Sequence, residues 1–127
     1  MTDFFNAQQG LIYVRAELVG PLGSGILQLA LDTGATDSAV AEAALVAVGY
    51  DPAATPTQVD VVTGSGIVRV PLLRITKLTA LGQERLDLPV MAYTLPAGTS
   101  VDGVLGLDFL RGTALTIDFR IGQITLT

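Results

Sequence analysis

In this chain of 127 residues, one segment combines residue types and order that could do chemistry. It is Asp32-Thr33-Gly34, set at the end of the hydrophobic run Ile26 to Leu31 and followed by the small residues Ala35 and Thr36. A carboxylate in such a place can give and take protons as a general acid or base. Composition alone would put Asp-Thr-Gly somewhere in a chain of this size about a few per cent of the time. The same residues also make an ordinary turn, since Asp and Thr side chains cap bends through hydrogen bonds to backbone N–H groups and glycine permits the bend.

What the chain lacks narrows the chemistry further. It has no cysteine, histidine or tryptophan. That removes Ser-His-Asp and Cys-His catalysis, imidazole-bound zinc, disulfides and iron–sulfur clusters. Carboxylates, hydroxyls, one lysine and six arginines remain. The acids are spread one per segment, whereas a hard cation wants several converging oxygens, so no metal and no cofactor is expected. Seven basic against twelve acidic residues give a net charge of −5, and the cations are scattered singly, which speaks against nucleic acid as a partner. Apolar stretches are interrupted by Gly, Pro or charge well short of the ~20 residues a membrane span needs. The start, Met1-Thr2-Asp3-Phe4-Phe5-Asn6, has neither a basic nor an apolar leader region, which points to a cytoplasmic, soluble protein without a membrane partner. Half the residues are hydrophobic, a core supply suited to a single domain over residues 1–127.

The elements that must position Asp32 are mostly short strands. Ile12, Val14, Ala16 and Leu18 alternate with Tyr13, Arg15 and Glu17, the period of a half-buried strand over Leu11 to Leu18. Gly20-Pro21-Leu22-Gly23-Ser24-Gly25 reads as a hairpin loop; no Gly-Lys-Ser/Thr follows to make it a phosphate loop. Ile26 to Leu31 is the next strand, with a short extended piece at Ala39–Val40 and a helix from Glu42 to Val48 closed by Gly49. Pro52 and Pro56 mark a loop. Thr57 to Val62 and Ile67 to Ile75 flank Thr63-Gly64-Ser65-Gly66 as a long glycine-tipped hairpin, and Thr76–Leu81 and Glu84–Tyr93 turn at Gly82-Gln83. A loop at Pro96-Ala97-Gly98, a helix from Leu107 to Arg111, and strands Ala114 to Phe119 and Gln123 to Thr127 complete an all-β, barrel-like pattern with one or two short helices. Arg111 suits a helix C-terminus, Lys77 a solvated strand position, and Tyr13, Tyr50 and Tyr93 core or interface filling.

The order of these parts resembles the retropepsin-like aspartic proteases over nearly the whole chain. Leu29-Ala30-Leu31-Asp32-Thr33-Gly34-Ala35-Thr36 is similar to the catalytic loop of that family, the Asp60 to Val70 hairpin to its flap, and Val104-Leu105-Gly106 to its second signature. Leu107-Asp108-Phe109-Leu110 matches the continuation common in bacterial and cellular members. The resemblance implies an all-β, closed-barrel acid protease fold whose active site lies at a homodimer interface. With one Asp-Thr-Gly per chain, the Asp32 of each of two subunits would meet across a two-fold axis. Two close carboxylates sharing a proton can deprotonate a water and protonate the scissile carbonyl, the pairing for which aspartic proteases are the standard illustration.

On that resemblance, Asp32 is the shared acid and base, Thr33 bonds across the axis, and Gly34 leaves room for the substrate. Ala35, Thr36, Asp37 and Val104 would line the cleft, and Thr63, Gly64, Ser65 and Gly66 would close over an extended peptide or protein substrate. Each residue keeps a plainer reading, since any hairpin can carry Thr-Gly-Ser-Gly and Gly106 can be simple close packing. Thr36 and Leu107 stand where retroviral enzymes usually carry a charged pair that braces loop and dimer. A second hypothesis is therefore a non-catalytic peptide-binding or dimerisation module on the same fold.

Overall fold

The computed structural model describes residues 2–8, 10–94 and 98–127. Among these described residues, ten strands and two short helices follow in order: β1 (Thr2–Phe4), β2 (Tyr13–Gly20), β3 (Gly23–Leu31), β4 (Ala39–Ala41), α1 (Glu42–Ala47), β5 (Gln58–Thr63), β6 (Gly66–Ala80), β7 (Gln83–Tyr93), β8 (Gly103–Leu105), α2 (Leu107–Leu110), β9 (Leu115–Asp118) and β10 (Gln123–Leu126). The larger sheet runs β2-β3-β8-β4-β7-β6-β5, and β6 also pairs with β2 from Ala16↔Ala80 to Val19↔Lys77. Six strands thus close into a barrel without a free edge, the arrangement that protects strand backbones from foreign pairing. Strand β5 hangs outside, paired only with the first part of β6 from Thr63↔Gly66 to Gln58↔Pro71.

Alternation along β2 is as its sequence dictates: Val14, Ala16 and Leu18 are buried while Arg15 is exposed. They join Leu29, Leu45, Ile75, Leu78, Val90, Leu105 and Phe109 in one core. A separate three-stranded sheet, β1-β10-β9, adds Ile124 and Leu126 to the same core. In the β9–β10 turn Arg120 donates its backbone N–H at 2.9 Å and its guanidinium at 2.8 Å to the carboxylate of Asp118. Its carboxyl is held down to about 2, chiefly by the guanidinium bond.

Several elements differ from the sequence expectation. Strand β1 and strand β8 carry no alternation long enough to announce them, at three residues each. The loop before Ile26 shrinks to a tight turn, because β3 already begins at Gly23, whose φ of +138° suits glycine. Of the loop expected at Pro96-Ala97-Gly98, Pro96 and Ala97 lie outside the described residues. Pro52–Ala54 is a 3₁₀ turn, with Pro at a position where a helix needs no N–H.

The two strands expected at Ile67–Ile75 and Thr76–Leu81 are the single 15-residue strand β6. Its pairing with β7 skips one position, from Ile75↔Leu88 to Lys77↔Leu86. At that gap the Thr76 N–H donates to the Tyr50 hydroxyl at 2.7 Å, and the hydroxyl donates to the Val19 carbonyl at 2.7 Å. Tyr50 therefore fastens the α1 connection to both β2 and β6 at the point where β6 begins to pair with β2. Lys77 is less solvated than its strand position suggests, its side chain 31% exposed and 3.7 Å from Glu84. Replacing Tyr50→Phe removes both bonds at a partly solvated position; urea unfolding should show a loss of about 1–2 kcal/mol with an unchanged denaturant slope.

Candidate active site

Asp32 sits where two parallel strands end side by side. Strand β8 lies between β3 and β4, in register Leu29↔Gly103, Ala30↔Val104 and Leu31↔Leu105 with the former, and antiparallel to the latter with Ala39↔Val104. The chain leaves β3 and must cross the end of β8 before returning as β4, so residues 32–38 form a loop draped over the turn that follows β8. That close passage explains two glycines. A Cβ on Gly103 would lie 2.0 Å from the Ala39 carbonyl oxygen, and one on Gly106 would lie 2.8 Å from that of Ala35.

Backbone bonds join the two segments along their length. The Asp32 N–H donates to the Leu105 carbonyl at 3.0 Å, Leu107 N–H to Ala35 at 2.8 Å and Asp108 N–H to Thr36 at 3.2 Å. Within the loop, Ala35 N–H donates to the Asp32 carbonyl at 3.2 Å, and Gly34 N–H to Asp32 Oδ1 at 2.8 Å. This last bond orients the carboxylate, and a Cβ on Gly34 would stand 3.1 Å from that same oxygen. The rest of Asp32 is exposed, as are Thr33, Thr36 and Asp37, whereas Ala35 and Val104 are half-buried. The Thr33 hydroxyl makes no hydrogen bond among the described residues.

Beneath the loop lies a polar network that the sequence did not announce. Ser38, fully buried, donates its N–H to Asp108 Oδ2 at 2.9 Å and its hydroxyl to Asp108 Oδ1 at 2.6 Å. The same hydroxyl accepts the Gly106 N–H at 3.0 Å, and Asp108 Oδ1 also accepts the Phe109 N–H at 2.8 Å. A signal was present: Asp108 is the sole charge within Val104-Leu105-Gly106-Leu107-Asp108-Phe109-Leu110, and a carboxylate in an apolar run needs donors. Arg111, expected to serve the helix end, is exposed; Arg85 takes that place instead, donating Nε–H to the Phe109 carbonyl at 2.9 Å with its guanidinium 4.9 Å from the Phe109 ring centroid.

The glycine-tipped hairpin of β5 and β6 stands away from the core. Thr63 orders its turn, donating its hydroxyl to the Gly66 carbonyl at 3.0 Å and accepting the Ser65 N–H at 3.3 Å. Val62, Ile67 and Val68 beside the tip are exposed. No hydrogen bond joins Thr63, Gly64, Ser65 or Gly66 to the Asp32 loop among the described residues, so one chain does not bring hairpin and carboxylate into direct contact by that means. A groove of about 590 Å³ elsewhere is lined by Asp3, Tyr13, Arg15, Gln28, Asp102 and Ile124, among others, and not by Asp32. Among the described residues no group of three or more acidic side chains converges on a point where a metal could bind, and no helix is long and apolar enough to cross a membrane. Chemically, the loop offers one rigidly aimed, solvent-facing carboxylate with a free hydroxyl beside it.

Because Gly106 meets backbone oxygen and carbon rather than a yielding side chain, Gly106→Ala should force the loop off the turn. We expect a loss of about 1–3 kcal/mol in chemical denaturation, with the barrel fold retained by circular dichroism.

Comparison with known proteins agrees with this geometry. A family model described as aspartyl protease matches residues 23–109, which span β3, the hairpin, β8 and most of α2. Among solved structures, the chain resembles a retropepsin-like aspartic protease from Rickettsia conorii, with a TM-score of 0.75 and 18% identity, over 99% of this chain and 88% of that one. No curated protein matches it significantly in sequence. With the Asp-Thr-Gly loop inside the matched span and the closed barrel around it, this chain belongs to the aspartyl protease family and has the retropepsin-like fold.

Proposed function

We propose that the protein is a homodimeric aspartic endopeptidase in which Asp32 of each subunit supplies one of two catalytic carboxylates. The observation that carries this reading is the Asp32 carboxylate itself, exposed yet oriented by the Gly34 N–H at the mouth of a braced loop. A second acid is required, since one group must take a proton from the attacking water while another protonates the scissile carbonyl oxygen. Acids on the adjoining elements are already engaged: Asp108 by Ser38 and Phe109, and Asp102 by the Gln28 N–H at 2.9 Å. A second copy, related by a two-fold axis, provides the missing one.

In that dimer the unprotonated Asp32 accepts a proton from water as its oxygen attacks the carbonyl carbon, and the protonated Asp32 passes its proton to the carbonyl oxygen. Collapse of the resulting diol expels the amine, which takes a proton from the dyad. The Thr33 hydroxyl, unbonded among the described residues, would bond across the axis, and Gly34 would leave the substrate backbone room beside the carboxylate. Ala35, Thr36, Asp37 and Val104 would line the cleft. The Thr63–Gly66 tip would lie over an extended peptide and pair with its backbone, while Val62, Ile67 and Val68 offer apolar contact, favouring largely hydrophobic segments. Exposed Phe4, Phe119 and Ile121 at the terminal sheet supply apolar surface for a second copy to cover.

Incubation with a diverse peptide library, read by mass spectrometry, should show cleavage that a transition-state-mimicking aspartic protease inhibitor blocks. Asp32→Asn should lower turnover by at least about 10²–10⁴-fold while leaving the folded barrel; undiminished cleavage by that variant rules the reading out. Sedimentation velocity at micromolar concentration should reveal a dimer under the conditions that support cleavage. Turnover by a species that remains monomeric would remove the shared dyad.

A further inference from the structure

We infer that Asp108 is a positioning residue for Asp32: with Ser38 it fixes the height and tilt of the 32–38 loop inside a single subunit. The inference deepens the endopeptidase reading and rests on it for its kinetic consequence. Asp108 touches no reacting group. Its carboxylate accepts three hydrogen bonds, two from Ser38 at the far end of the loop and one from Phe109 in the turn below. Ser38 passes the constraint on, because its hydroxyl accepts the Gly106 N–H while donating to Asp108. From Gly106 the backbone continues to Leu107, whose N–H holds Ala35, and Ala35 in turn donates to the Asp32 carbonyl.

The chemistry requires a carboxylate. All three groups facing Asp108 are donors, so an ionised acid satisfies them without conflict, and bonds to a charged acceptor are stronger than neutral ones. Burial of Ser38 at 0% exposure means that water cannot replace a lost partner there. An amide at 108 would keep the shape yet turn an NH₂ toward at least one of these donors. Among the described residues Thr36 and Leu107 contribute only backbone hydrogen bonds to this contact, and its side-chain constraint comes from Ser38 and Asp108.

The test compares Asp108→Asn and Ser38→Ala with Leu18→Ala, a barrel variant at a fully buried position of β2 whose ladder partners, Gly25 and Leu78, lie outside the loop. Each loop variant should lower kcat about tenfold or more, the size expected from losing a hydrogen bond to a charged acceptor. The rise in KM should be smaller than the fall in kcat, because the loop carries the reacting carboxylate as well as the cleft-lining Ala35, Thr36 and Asp37. The double variant should lose less than the product of the single losses. Leu18→Ala should lower Tm without that split, kcat being counted per folded molecule. Hydrogen exchange gives a readout free of activity: the Ala35, Gly106 and Leu107 amides should speed up about tenfold relative to Leu78 in the barrel.

Wild-type kcat in both loop variants, or exchange that rises equally in loop and barrel, overturns the inference. Should Asp108→Asn fail to fold, Ser38→Ala carries the same comparison. If the wild-type protein cleaves no peptide, the proposed function falls while the exchange result still decides the brace.

Discussion

The insertion of β8 between β3 and β4 is the constraint on which the site depends. A parallel partner alongside β3 brings the Leu105 carbonyl level with the Asp32 N–H, so the carboxylate emerges at a fixed height above the barrel. The return strand must then lie on the other side of β8, which forces residues 32–38 across the turn at Gly106. Contact is so close there that neither Gly103 nor Gly106 has space for a Cβ against neighbouring backbone oxygen. Loops usually sit on the surface with loose ends; this one is stitched at both ends and in the middle, and its outer rim of Asp32, Thr33, Gly34, Thr36 and Asp37 is exposed.

The barrel that carries this loop is closed by means outside the loop. Strand β6 serves three partners in turn, first β5, then β7 and β2, and the change is managed where Tyr50 takes the Thr76 N–H out of the ladder. Letting the first part of β6 project with β5 costs the molecule an exposed apolar hairpin, with Val62 82% and Ile67 69% exposed. A monomer gains nothing from such surface. On the proposed function, an extended chain beneath the hairpin would bury those side chains and supply backbone partners.

Much of the architecture was legible because it rests on local rules. Period-2 alternation located β2, glycine pairs located the hairpin tips, and Gly49 closed α1, where its φ of +102° is a conformation other residues avoid. Asp-Thr-Gly and Val104-Leu105-Gly106 identified the two segments that meet at the site. What escaped was tertiary in origin. Three-residue strands such as β8 have no period to detect, and they become strands only because β3 and β4 flank them. The run from Ile67 to Leu81 looked like two strands because nothing local shows that Tyr50, distant in sequence, would accept the hydrogen bond of Thr76. Ser38 and Asp108 were invisible as a pair for the same reason, lying 70 residues apart.

Placing the brace within one subunit separates two properties that a charged pair spanning loop and interface would join. Where loop geometry relies on groups near the interface, any weakening of the dimer also disorders the half-sites that remain. Here the donors and acceptors that fix the loop belong to β7, β8, the Gly106 turn, α2 and the loop itself, and the Ser38 end of the Ser38–Asp108 contact is buried. In the proposed dimer each half-site would be ordered before association, so the free energy of dimerisation would be spent on bringing two finished loops together rather than on building them. Association could then be modest in strength without loss of loop geometry, since no ordering penalty would oppose it. On that reading, dilution would remove the second carboxylate and leave the first intact.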